Sequence, residues 1–306
     1  MSNFAMVFPG QGSQAVGMLA DLSSQYPIVE ETFKQASDVL GYDLWDLVQN
    51  GTAEDLGQTQ RTQPALLASS VALFRNWQQK FPEAKPSVMA GHSLGEYSAL
   101  VCAGVLDFQD AIKLVELRGN AMQQAVPAGT GAMFAIIGLE NEACEQASSE
   151  TGEIVSAVNF NSPGQVVIAG TKTAATRAGE LCKEAGAKRA LPLAVSVPSH
   201  CALMKPAADK LAEALQNITL NAPLVPVINN VDVATETDAE KIRDALVRQL
   251  YSPVRWTETV EKMAKDGVTT LYEIGPGKVL TGLASRVVKE LSAKAVNDVA
   301  SFGAVE

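Results

Sequence analysis

Histidine is the scarcest residue in this 306-residue chain, which has only His92 and His200, so any chemistry that needs an imidazole must use one of them. The four cysteines, Cys102, Cys144, Cys182 and Cys201, form no Cys-x-x-Cys pair, which disfavours a zinc knuckle or a disulfide framework. Basic residues are short as well: 24 Lys and Arg stand against 34 Asp and Glu, for a net charge of −10. Phosphate backbones are gripped by clustered Lys and Arg, so nucleic acid is not an expected partner, and an anionic partner needs a local basic patch. Gly, Ser or charge interrupts every apolar run before the roughly 18–20 residues that cross a bilayer. The first apolar stretch, Phe4 to Phe8, is five residues long and has no basic region before it. A cytoplasmic protein with no targeting segment, no membrane contact and a monomeric state is expected. Apolar residues are plentiful at 47%, over a length that buries one large or two coupled domains.

Short apolar runs alternate with amphipathic segments, which predicts an α/β fold. Phe4–Phe8 reads as a strand closed by Pro9-Gly10, and a helix follows over 28–40. Ser87–Ala90 reads as a buried strand running through Gly91 into a helix over 94–103, with His92 and Ser93 in the turn. Residues 133–138, 140–150, 154–159, 165–169, 171–185 and 189–195 then read as βαββαβ, with Asn161-Ser162-Pro163-Gly164 as the central turn. That order describes a ferredoxin-like small domain at 128–195 inserted in a larger α/β domain made of 1–127 and 196–306. The remainder reads as helix 204–216, strand 225–229, helices 239–249 and 256–265, and strand 270–274, with the last fifteen residues as a weakly specified tail.

Gly91-His92-Ser93-Leu94-Gly95 matches G-x-S-x-G, where small flanking residues let a strand turn sharply into a helix and project a serine hydroxyl. A neutral alcohol needs a base. His92 adjoins Ser93 and the turn points it elsewhere, leaving His200. On the predicted helix 108–124, Phe108, Ala111, Val115, Arg118 and Met122 follow 3-4-3-4 spacing, which sets Arg118 on an apolar face. Arginine there either pairs with structural acceptors or meets a carboxylate with two hydrogen bonds, and the spacing leaves both open. Pro9-Gly10-Gln11-Gly12-Ser13-Gln14 can turn N–H groups toward an anion, but it lacks a P-loop lysine and full G-x-G-x-x-G spacing, so nucleotide binding is unsupported.

Six motifs in order, Phe8–Gln14, Gly91–Glu96, Arg118-Gly119, Asn159–Gln165, Pro198–His200 and Glu273–Gly277, resemble those of malonyl-CoA:acyl carrier protein transacylases, over about residues 4–291. The resemblance implies an α/β-hydrolase-like large domain with a ferredoxin-like insertion and a site between them. It implies Ser93 as nucleophile and His200 as base, supported by the backbone carbonyl of Gln249 in place of a carboxylate. The N–H groups of Gln11 and Leu94 would form the oxyanion hole. Arg118 would hold the malonyl carboxylate, Asn161 would lie near the nucleophile and Met122 would line the substrate site. The implied substrates are malonyl-CoA and acyl carrier protein, without a metal or redox cofactor. Lys278, Arg286 and Lys289, close in sequence, either meet the acidic carrier or form an ordinary solvated helix face. A serine esterase or thioesterase is the main rival, and a non-catalytic acyl-CoA or carrier-binding module the rival from another class.

Overall fold

The strands in chain order are β1 (Phe4–Phe8), β2 (Val88–Gly91), β3 (Gly131–Ile137), β4 (Val155–Ser162), β5 (Gln165–Thr171), β6 (Arg189–Pro192), β7 (Val227–Ile228), β8 (Thr270–Ile274) and β9 (Ser292–Val296) in a computed structural model that describes residues 3–195 and 197–305. Five of them form a parallel sheet in the order β7-β2-β1-β8-β9. Side chains alternate across a strand, and β1 uses this fully: Phe4, Met6 and Phe8 enter one core while Ala5 and Val7 enter the other. A parallel sheet covered on both faces reads as continuous apolar runs, which is why this strand was legible.

The helix Thr59–Lys80 covers the larger core and is buried nearly all round from Thr62 to Phe74. Its TQPALLASSVALF stretch has no polar face, so periodicity gave no signal for it. The helix Trp256–Lys265 covers the opposite face with Trp256, Val260 and Met263.

Residues 131–192 contribute β3, helix Asn141–Ser149, β4, β5, helix Lys172–Glu184 and β6, and the strands form a separate antiparallel sheet in the order β4-β5-β3-β6. Backbone pairing fastens this sheet to the segment that leads into the helix Trp256–Lys265: Val254 donates to Val158 at 2.8 Å and its carbonyl accepts from Phe160 at 3.0 Å. The domain limits read at residues 1, 196 and 306 fall outside the described residues.

Two expectations need correction. Asn161 and Ser162 lie within β4, and the hairpin turns at Pro163-Gly164, where Gly164 takes φ 70°. The tail is also better specified than it read: β9 pairs with β8, and a capping box of Asp298 and Ser301 starts the helix Val299–Gly303. Phe302 is fully buried among Tyr26, Trp77 and Phe81. A single aromatic anchor in a five-residue helix leaves little pattern to read. Phe302→Ala is expected to destabilise the protein by about 3 kcal/mol, the lower end for buried Phe truncation because a short terminal helix can relax, as denaturant unfolding would measure.

Candidate active site

The turn between β2 and the helix Leu94–Cys102 holds Ser93 at φ 52° and ψ −109°. Such a backbone costs about 1–3 kcal/mol and persists only where its surroundings hold it. Here the Ser93 N–H donates to Asn230 Oδ1 at 2.8 Å, its carbonyl accepts from Gln249 Nε2 at 3.1 Å, and Asn230 Nδ2 donates to the Gly91 carbonyl at 2.7 Å. The flanking glycines allow the turn to close: a Cβ on Gly91 would stand 1.8 Å from Gly95 C, and one on Gly95 would stand 2.0 Å from the Phe8 carbonyl oxygen.

His200 Nδ1 lies 2.7 Å from the Gln249 carbonyl oxygen and Nε2 lies 2.7 Å from Ser93 Oγ. A carbonyl can only accept, so Nδ1 carries the proton and the Nε2 lone pair faces the serine hydroxyl. Burial, with the Arg118 charge adding to it, lowers the imidazole pKa to about 3 against the opposing pull of the Gln249 carbonyl. His92 is turned away, bonded through Nε2 to Asn161 Oδ1 at 2.8 Å and packed against Trp256.

A base must be neutral to accept a proton, and a depressed pKa keeps it neutral to lower pH. An imidazole near 6.5 would be depleted of its neutral form about thirtyfold at pH 5. With His200 near 3, kcat/KM for loading of Ser93 is expected to hold between pH 7 and pH 5, which a pH–rate profile of the acylation step checks.

Arg118, from the helix Phe108–Ala125, is 1% exposed. Its hydrogen-bond partners among the described residues are all neutral: Nη1 donates to Gln63 Oε1 at 2.8 Å, and Nη2 donates to Gln249 Oε1 at 3.0 Å and Ser93 Oγ at 3.3 Å. Among the described residues Nε has no hydrogen-bond partner, and the guanidinium carbon stands 5.3 Å from the Tyr97 ring centroid. The nearby buried carboxyl of Glu96 is pushed up to about 7 by desolvation, so at neutral pH it supplies only part of a countercharge. A buried cation with neutral partners is prepared for an anion that arrives.

Gln249 joins these parts: its backbone carbonyl orients His200, and its side chain bonds Arg118, the Ser93 carbonyl and, at 2.8 Å, Glu96 Oε2. Glu96 Oε2 also accepts from the Asn230 N–H at 2.9 Å. Sequence reading missed Gln63, Asn230 and the structural part played by Glu96. Only Glu96 left a local signal, a carboxylate in the otherwise apolar LGEYSALVC helix.

A cavity of about 460 Å³ opens over Ser93, and Gln11, Leu94, Arg118, Met122 and His200 all line it. The β1 loop lies directly on the elbow, since a Cβ on Gly10 would stand 2.4 Å from the His92 carbonyl oxygen. The Leu94 N–H begins a helix and therefore has no intrahelical partner. Asn161 reaches the site through His92, while Asn159 of the same strand faces the cavity directly.

A strained, half-buried serine facing a cavity and bonded to a neutral, carbonyl-oriented histidine is the class of site that transfers acyl groups through a serine ester. The family model described as acyl transferase domain matches residues 5–305, and the chain belongs to that family. It is 74% identical to the malonyl CoA-acyl carrier protein transacylase of Haemophilus influenzae, over all of this chain and 99% of that protein. A crystal structure of an acyl carrier protein S-malonyltransferase from Vibrio cholerae superposes with a TM-score of 0.97 at 71% identity, covering both chains in full. A malonyl-transacylase in complex with a type II PKS acyl-carrier protein also superposes with a TM-score of 0.97, at 69% identity over 98% of each chain.

Proposed function

We propose that this chain moves a malonyl group from coenzyme A, through an ester on Ser93, to the phosphopantetheine thiol of acyl carrier protein, supplying fatty-acid synthesis. The observation that carries the reading is Arg118, a buried guanidinium with neutral partners whose Nη2 lies 3.3 Å from the serine hydroxyl. Malonyl differs from acetyl by one carboxylate, and planar bidentate recognition of a carboxylate is what guanidinium does best.

His200 Nε2 takes the proton of Ser93 as Oγ attacks the thioester carbon. The N–H groups of Gln11 and Leu94 meet the oxygen that gains charge. The carbon–sulfur bond breaks, and coenzyme A leaves with the proton returned by His200. The carrier thiol then gives its proton to His200 and attacks the malonyl-serine ester, whose Oγ departs and is reprotonated by the same imidazole. The Gln249 carbonyl takes the place of the usual carboxylate, and no metal or redox cofactor enters the cycle. Met122 packs beside the acyl group, and Asn161 steadies His92 at the edge of the site.

The finer description of the fold is an α/β-hydrolase-like domain of 1–127 and 196–306 with a ferredoxin-like insertion at 128–195. The β4-β5-β3-β6 order supports the insertion. The enzyme acts as a cytoplasmic monomer, with exposed Lys278, Arg286 and Lys289 meeting the acidic carrier. A serine esterase would use water at the same elbow, but it has no role for Arg118. Intact-mass spectrometry distinguishes the two: a single stable malonyl adduct, mapped to Ser93 and discharged by carrier protein, is expected from malonyl-CoA and a much smaller one from acetyl-CoA. Rapid discharge to water, or an adduct on Cys102 or Cys201, would contradict the assignment.

A further inference from the structure

Four groups surround the carbon under attack, and three have their places on the reading above, on which this inference rests. Ser93 Oγ supplies one, the developing oxyanion faces Gln11 and Leu94, and the carboxylate arm faces Arg118. The sulfur and the chain behind it take the rest of the cavity, which is lined by Gln14, Ala53 and Gly57 and by a wall of β4 and the segment after β6. Asn159, Leu193 and Val195 line that wall.

Asn159 sits where the register of β4 against β5 shifts, between Ala157 and Asn159, and it also bridges to Val254. Bulges beside active sites re-aim side chains. Backbone bonds of Val158 and Phe160 to Val254 hold the kinked strand on either side of this residue. Among the described residues its buried Oδ1 has no partner and its Nδ2 makes no hydrogen bond. Leaving a carboxamide unpaired is unfavourable unless something arrives to pair with it.

The geometry points to Asn159 as the residue that grips the pantetheine arm, its carboxamide bonding the amide group two carbons beyond the sulfur. That amide is present in coenzyme A and in the prosthetic group of the carrier, so one side chain serves both half-reactions. Leu193 and Val195 supply apolar cover for the methylene groups. Binding energy from this remote contact orients the thioester over Ser93.

The test compares kcat/KM of wild type and Asn159→Ala with three acyl donors: malonyl-CoA, the malonyl thioester of N-acetylcysteamine, which retains the first amide, and the malonyl thioester of methanethiol, which has none. Asn159→Ala is expected to lose roughly five- to tenfold with the first two, the fold-change of one neutral hydrogen bond, and to match wild type with the third. An equal loss with all three donors, no loss with any, or a loss with malonyl-CoA alone would overturn the assignment. If thermal melting shows Asn159→Ala to be misfolded, Asn159→Ser makes the same comparison. Failure of wild type to accept malonyl-CoA would instead refute acyl transfer itself.

Discussion

Ser93→Ala is expected to take up no acyl group from malonyl-CoA, and His200→Ala to take it up about 10²–10⁴ times more slowly than wild type, the range that general-base catalysis supplies. The hydroxyl and Nε2 are 2.7 Å apart, with the tautomer held by the Gln249 carbonyl, so the proton has one short path. Binding of the thioester should survive, because Arg118 and the cavity remain. Single-turnover acylation with radiolabelled malonyl-CoA measures both variants. A crippled His92→Ala beside a nearly silent His200→Ala would reverse the roles of the two histidines, although His92 is committed to Asn161 and Trp256.

Arg118→Ala is expected to reduce kcat/KM for malonyl transfer by roughly two to three and a half decades. Removing one partner of a buried hydrogen-bonded charge pair costs about 3–5 kcal/mol, and each 1.4 kcal/mol is tenfold. Acetyl transfer should change little or rise, since a neutral acyl group then binds without an unpaired guanidinium beside it. The two thioesters act as controls for each other, because truncation also strips Gln63 Oε1 and Gln249 Oε1 of a donor. An equal loss for both would make Arg118 a structural residue. An unchanged malonyl rate would move carboxylate recognition to another side chain.

Legibility in the sequence followed the range of the interaction involved. The G-x-S-x-G turn was readable because its constraint is local: Gly91 and Gly95 approach each other and the β1 backbone within a few residues of Ser93. The burial of Arg118 was readable because a helix repeats every 3.6 residues, so Phe108, Ala111, Val115 and Met122 defined its face. The strands β1 and β8 and the helices Ile28–Leu40 and Ala239–Gln249 were readable from their own composition. Helix Thr59–Lys80 was not, because a segment buried all round has no periodicity to betray it, and with it Gln63 was missed.

By itself, then, the sequence determined the alternating α/β elements, the strained serine turn and the scarcity of bases that left His200 as the partner of Ser93. Only the tertiary structure decided what each polar side chain meets. His200 and Gln249 are 49 positions apart, Arg118 and Gln63 are 55 apart, and Ser93 and Asn230 are 137 apart. No periodicity or local propensity spans such separations. Packing of the two sheets and the buried helix removes water around these groups, which pushes the His200 pKa down and the Glu96 pKa up and leaves Arg118 among neutral partners. Desolvation depends on everything that surrounds a group, and that exists only once the chain has folded.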